Sequence, residues 1–141
     1  MVDWTAMPRV AAGRSVRSGS TSCPPRAPAF DTAEFDELRA MIGHDGMTEM
    51  VKIFETETRQ RLRRLAAGNR NPTTLVREMH TLKGAAGTIA APRLAALGRM
   101  FEDAAHRGIG PTPDELKAIE DALEAFLIEA RARTGSRSVV A

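Results

Sequence analysis

A chain of 141 residues, 43% hydrophobic and 27% charged with a formal net charge of +2, has material for one hydrophobic core and not two. No apolar run approaches the roughly 18 residues of a membrane helix, nothing at the N-terminus reads as a secretory h-region, and a single cysteine, Cys23, excludes an internal disulfide and a CxxC metal site and fits a reducing cytoplasm. The basic excess sits in Arg9, Arg14, Arg17 and Arg26; elsewhere basic and acidic residues interleave, without the basic stripe of a nucleic-acid binder.

Taken in order, residues 1–30 are rich in Gly, Ser and Pro, and Cys23-Pro24-Pro25-Arg26-Ala27-Pro28 prevents regular helix. They read as a disordered or loosely packed basic tail in which Trp4 is a stray aromatic. A basic arm for lipid or nucleic acid is the weaker alternative. Asp31-Thr32-Ala33-Glu34 has the form of a capping box, with Phe35, Leu38 and Ile42 continuing on one face. A short first helix is expected to end near Gly43, with His44-Asp45-Gly46 as a turn.

The second helix is expected from about Met47 to Ala67, with Met47, Val51, Phe54, Thr58, Leu62 and Leu65 inside. Arg59, Arg63 and Arg64, interspersed with Glu55 and Glu57, read as a salt-laced solvent face rather than a phosphate or RNA site. Gly68 stops this helix, and Asn71-Pro72 supplies a cap and an N1 proline for the third. Pro92 breaks the chain after Ala90-Ala91. The fourth helix, about Pro92 to Arg107, turns Leu94, Leu97, Phe101 and Ala104 or Ala105 inward and stops at Gly108. Thr112-Pro113-Asp114-Glu115 is a second capping box. The fifth helix follows with Leu116, Ile119, Leu123, Phe126 or Leu127, and Ala130, fraying towards Arg133.

No strand pattern appears, and Ala, Leu, Glu and Arg are abundant, as in helical proteins. The fold expected is all-α: an antiparallel up-down-up-down four-helix bundle with a short additional N-terminal helix. Its domain spans 31–133, and residues 134–141 form a C-terminal tail.

The third helix carries the most informative stretch. Leu75, Met79, Leu82, Ala86 and Ile89 form its buried stripe, and at about 100° per residue His80 lies well away from it. Gly84 and Gly87 flank the imidazole on the same outer face. Glycine inside a helix costs roughly 1 kcal/mol relative to alanine, so two within four residues call for a reason. Clearance around the ring is one, and close helix packing is the competing one. Lys83, at i+3, puts an ammonium within reach of an anion on the ring. An imidazole ordinarily titrates near pH 6.5, so at neutral pH it keeps one nitrogen free for attack on phosphorus.

His80-x-Leu82-Lys83-Gly84-Ala85-Ala86, followed by Leu94, Leu97, Phe101-Glu102 and Ala105, resembles the histidine-containing phosphotransfer (HPt) family over about residues 33–128. The resemblance implies a bundle of the kind already read, and a phosphocarrier of bacterial and related His–Asp phosphorelays. Such a protein accepts a phosphoryl group on His80, by Nε2, from the aspartate of a receiver domain and passes it to another receiver. It implies no kinase or ATP-binding domain in the chain and no permanently bound cofactor, with Mg²⁺ on the partner. The partners implied are the receiver domain of a hybrid sensor kinase, a response regulator, or both.

Lys83 is the candidate for favouring the phosphorylated state, with a plain surface lysine as the alternative, and Gly84 and Gly87 would give clearance; by the resemblance, Glu102 bonds the ring nitrogen that does not carry phosphate. A plain solvated Glu competes with that last role. Two departures stand out. Ala90 replaces a glycine common ten residues after the histidine, and is expected to place one methyl at a helix–helix crossing. His106 stands where arginine is common and reads as a surface histidine.

An apolar docking patch is expected near His80, with Val76 on the outer side of the third helix and Met41 and Ile42 as candidates that fit the core equally well. A kinase is excluded by the lack of a G-x-x-x-x-G-K-[ST] loop. A metal-binding bundle is excluded by the scatter of His44, His80 and His106. A docking module that binds receivers without transfer is the alternative, and a monomer the default.

Overall fold

The computed structural model describes residues 26–68 and 71–135. Trp4, Cys23, the tail up to residue 25 and residues 136–141 lie outside the described residues. Five helices and no strand are present among those described: α1 (Thr32–Ile42), α2 (His44–Ala66), α3 (Pro72–Thr88), α4 (Pro92–His106) and α5 (Pro113–Thr134). Helices α2 to α5 form the up-down-up-down bundle, with α1 packed on α2. Ion pairs mark the antiparallel neighbours. Arg61 of α2 meets Glu78 of α3, and Glu55 and Arg59 of α2 meet Arg131 and Glu124 of α5. No helix among the described residues is long and apolar enough to cross a membrane.

The helix starts follow from local chemistry. Asn71 Oδ1 accepts from the Thr74 amide at 3.1 Å, and Thr112 and Glu115 make both bonds of a capping box, at 3.1 and 2.9 Å. At α1 only half of the expected box forms. Asp31 Oδ1 accepts from the Glu34 amide at 3.0 Å, but the Asp31 amide donates to the Ala90 carbonyl at 3.0 Å. A tertiary partner thus takes the donor that Glu34 would otherwise satisfy.

The core is the set of stripes read from the sequence: Met47, Val51, Phe54, Thr58 and Leu65; Leu75, Met79, Leu82, Ala86 and Ile89; Leu94, Leu97, Phe101 and Ala105; Ile119, Leu123, Phe126, Leu127 and Ala130 are all buried. Phe126 stands edge-on to Phe54, with centroids 5.6 Å apart, a favoured aromatic geometry. Leu62 and Leu116 are only partly buried.

Several boundaries differ from expectation. His44-Asp45-Gly46 is the first turn of α2, not a loop; Gly43 alone, at φ +88°, turns the chain, because glycine enters that region without a Cβ clash. Ile42 is 42% exposed and Met41 81%. Ile42 lies beside Gly46 in the first turn of α2, away from the core that Phe35 enters.

Packing also begins before residue 31. The Phe30 ring lies tilted against Phe35 and Phe126, with centroids 4.8 and 5.6 Å away, and the Ala27 and Pro28 carbonyls accept from Arg93 at 3.0 Å each. At the other end α5 runs through Thr134, which is buried, to Gly135 at φ +69°.

Ala90 is not at a helix crossing. It occupies the turn that closes α3, at φ +70°, and the following amide, of Ala91, bonds back to the Ala86 carbonyl at 2.9 Å, as in a Schellman ending. A left-handed alanine costs roughly 1–2 kcal/mol, partly offset here because its methyl is buried.

Arg61, absent from the expected inner stripe, is 8% exposed. Glu78 clamps it at 2.9 Å and Arg64 at 2.8 Å. Those bonds, Arg64's foremost, hold the Glu78 carboxyl below the ordinary glutamate value of 4.5. A depressed carboxylate pKa stabilises the fold above the unfolded-state value, and this stability is lost as pH falls through the folded value. Thermal unfolding from pH 7 to pH 3 is therefore expected to show stability falling below about pH 4.5. Glu78→Ala should lower stability at pH 7 by about 1–3 kcal/mol, by leaving a buried guanidinium without this partner, and should flatten the acid limb. An unchanged acid limb would contradict this account.

Candidate functional site

Helices α3 and α4 are the most closely packed pair in the molecule, and the site lies along their shared outer edge. Because the α3 stripe from Leu75 to Ile89 is buried, the helical rotation carries His80 to the opposite side, where its side chain is 67% exposed. Two glycines follow it. A Cβ built on Gly84 or Gly87 meets nothing within 4 Å. Among the described residues neither glycine serves helix packing, so close packing does not account for either and their effect is a bare helix face. The Thr88 hydroxyl donates to the Gly84 carbonyl at 3.0 Å, a bond back to the residue four earlier in the same helix.

Glu102, on α4, organises the polar groups. Its Oε2 lies 3.0 Å from His80 Nδ1 and its Oε1 2.8 Å from Lys83 Nζ. Only 12% of its side chain is exposed. The Lys83 hydrogen bond, and then that of His80, hold the Glu102 carboxyl below the usual carboxylate range, so at neutral pH it is ionised. A carboxylate accepts and does not donate. Nδ1 is therefore the ring nitrogen that donates a proton to Glu102, which leaves Nε2 as the nitrogen not engaged by this carboxylate. Lys83 uses one of three ammonium donors on Glu102, which leaves two.

The other expected residues divide. His106 Nε2 stands 3.9 Å from Glu102 Oε2 and its side chain is 62% exposed, so it is a surface histidine at the margin of the site. Val76 is partly buried against the core and does not stand free beside His80. Met41 and Ile42 are exposed on α1, whose helical neighbour is α2. Gly87 instead joins the bare face to a shallow groove formed with Ala91, Pro92 and Ala95 and rimmed by Glu34 and Arg99.

One residue was missed from sequence. Gly98 of α4 faces the α3 backbone at Lys83, where an added Cβ would lie 2.9 Å from Lys83 N and 3.0 Å from its Cα. A lone glycine between Leu97 and Phe101 inside an amphipathic helix was the available signal.

The family model described as the Hpt domain matches residues 49–131, more than half of the chain, and takes in all of α3 and α4. No curated protein and no solved structure gives a match.

Proposed function

Because the chain belongs to the Hpt domain family, the phosphotransfer modules that work with receiver domains in His–Asp phosphorelays, we propose that His80 is the phosphoryl carrier. In this reading Nε2 attacks the phosphorus of an aspartyl phosphate on a docked receiver. The N–P bond forms as the P–O bond to the aspartate breaks, and the aspartate leaves as a carboxylate with the bonding pair. The ring, still protonated at Nδ1, gains positive charge as the bond forms, and the Glu102 carboxylate faces that charge. Lys83 offers its remaining N–H donors to the phosphoryl oxygens. The reverse sequence, on a second receiver, discharges the protein.

Phosphoryl transfer of this kind depends on alignment and charge neutralisation. The receiver supplies an acidic pocket with Mg²⁺, and this chain supplies the nucleophile, a cation and an unobstructed surface. The receiver would sit over Gly84 and Gly87 and reach the groove beside Ala91 and Ala95. The chain acts as a monomeric phosphocarrier in the cytoplasm, without kinase activity of its own. The observation that carries this reading is the exposed His80, tied through Nδ1 to an ionised Glu102.

The test is incubation with receivers charged with radiolabelled phosphate and Mg²⁺. A phosphoramidate on nitrogen is expected: label stable in alkali and lost in acid. Acid-stable label, or none from several charged receivers, would overturn the proposal. Receivers that bind without transferring would leave a docking module.

A further inference from the structure

Resting on His80 as the phosphoryl carrier, we propose that Gly98 is a positioning residue for the transfer: it sets the α3–α4 separation at which one carboxylate, Glu102, reaches His80 Nδ1 and Lys83 Nζ together. Gly98 and Glu102 are four residues apart on α4 and so share a face, and His80 and Lys83 are three apart on α3. The two helices touch at Gly98, where a methyl would approach Lys83 N to 2.9 Å, Cα to 3.0 Å and Cβ to 3.1 Å.

Two of those three atoms belong to backbone, and no rotamer change moves them aside. One turn along α4 from this contact, Glu102 spans 3.0 Å to His80 and 2.8 Å to Lys83. Both distances tolerate little lengthening, because hydrogen bonds weaken steeply beyond their normal range. If α4 moves outward, rotation of the Glu102 side chain can restore one bond but not both. The Lys83 contact is the shorter and joins two full charges, so it is the one kept. The imidazole then loses its acceptor, its proton distributes over both nitrogens, and the fraction with a free Nε2 falls. Gly98 thus differs in kind from Gly84 and Gly87, whose missing side chains clear space for a partner. Its missing side chain brings two helices of the same chain together.

The experiment is ¹⁵N NMR of the His80 ring in the full, unphosphorylated chain, alongside transfer rate and receiver affinity. Wild type is expected to show the Nδ1–H tautomer as the dominant neutral form. Gly98→Ala should shift the ring towards the tautomer mixture of free histidine and slow transfer on the order of tenfold, with receiver affinity unchanged. Glu102→Asp retracts the carboxylate with the helices in place and should give the same ring spectrum, which keeps the reach argument testable even where Gly98→Ala fails to fold. Leu97→Ala, a destabilising core change beside Gly98, should lower Tm without moving the tautomer.

On a Glu102→Ala background, Gly98→Ala should have little further effect on rate. An unshifted tautomer in Gly98→Ala or in Glu102→Asp, or additive rate effects, would overturn the proposal. The ring measurement uses no phosphate, so failure of wild type to take label would be seen separately from failure of Gly98 to hold the ring.

Discussion

His80→Gln is expected to take up no phosphoryl group from a charged receiver, a loss of at least about 10³-fold, since removing a covalent nucleophile leaves only docking and alignment. The side chain is 67% exposed and hydrogen-bonds Glu102, which keeps Lys83 as a partner. Stability should therefore move by less than about 0.5 kcal/mol, as for a surface substitution. Receiver binding should persist, because glutamine preserves the bare helix face around it. The discriminating measurement sets label uptake beside receiver affinity from titration calorimetry for both proteins. Label retained in His80→Gln would place the acceptor elsewhere. Joint loss of label and fold would make His80 a structural residue.

Gly84→Leu is expected to move stability and function in opposite directions. A Cβ there meets no neighbouring atom within 4 Å among the described residues, and replacing glycine by leucine inside a helix favours the helix by about 1 kcal/mol. Tm should rise. The leucine would stand one turn from His80 on the same face, where the proposed receiver approaches the ring. A misplacement of about 1 Å in the attacking geometry can cost about 10²-fold, and transfer should fall by at least that factor. Gly84→Ala should give a smaller loss and a similar gain in helix stability. A variant that is both stabler and fully active would show that no partner comes close to this turn.

Much of this was legible from local pattern. The stripes of α2 to α5 repeat every three to four residues and are buried as read except at Leu62 and Leu116, which are partly buried. The Asn71 and Thr112 caps form because capping bonds reach only three residues along the chain. The exposure of His80 follows from its rotation away from Leu75, Met79 and Leu82, with no need of a partner helix. Where the reading went astray, a distant part of the chain had intervened. Asp31 gave its amide to Ala90 rather than to Glu34. Phe30 packed against Phe126 although its neighbours are rich in proline, and Arg61 went inside because Glu78 waits on α3.

Ala90 shows the same division. The break before Pro92 was readable, since proline restricts the residue preceding it. The left-handed turn at Ala90 was not, because alanine rarely adopts it without the surrounding packing.

The sequence alone therefore determined an all-helical chain and an exposed imidazole on a helix face bared by two glycines, since helical periodicity, capping and side-chain size act within a few residues. Only the tertiary structure decided which nitrogen of that imidazole meets a carboxylate, that one carboxylate serves both His80 and Lys83, and that Gly98 is where α3 and α4 meet. Each of these depends on the register of one helix against another, which is set by the packing of the whole bundle and is written in no single stretch of the chain.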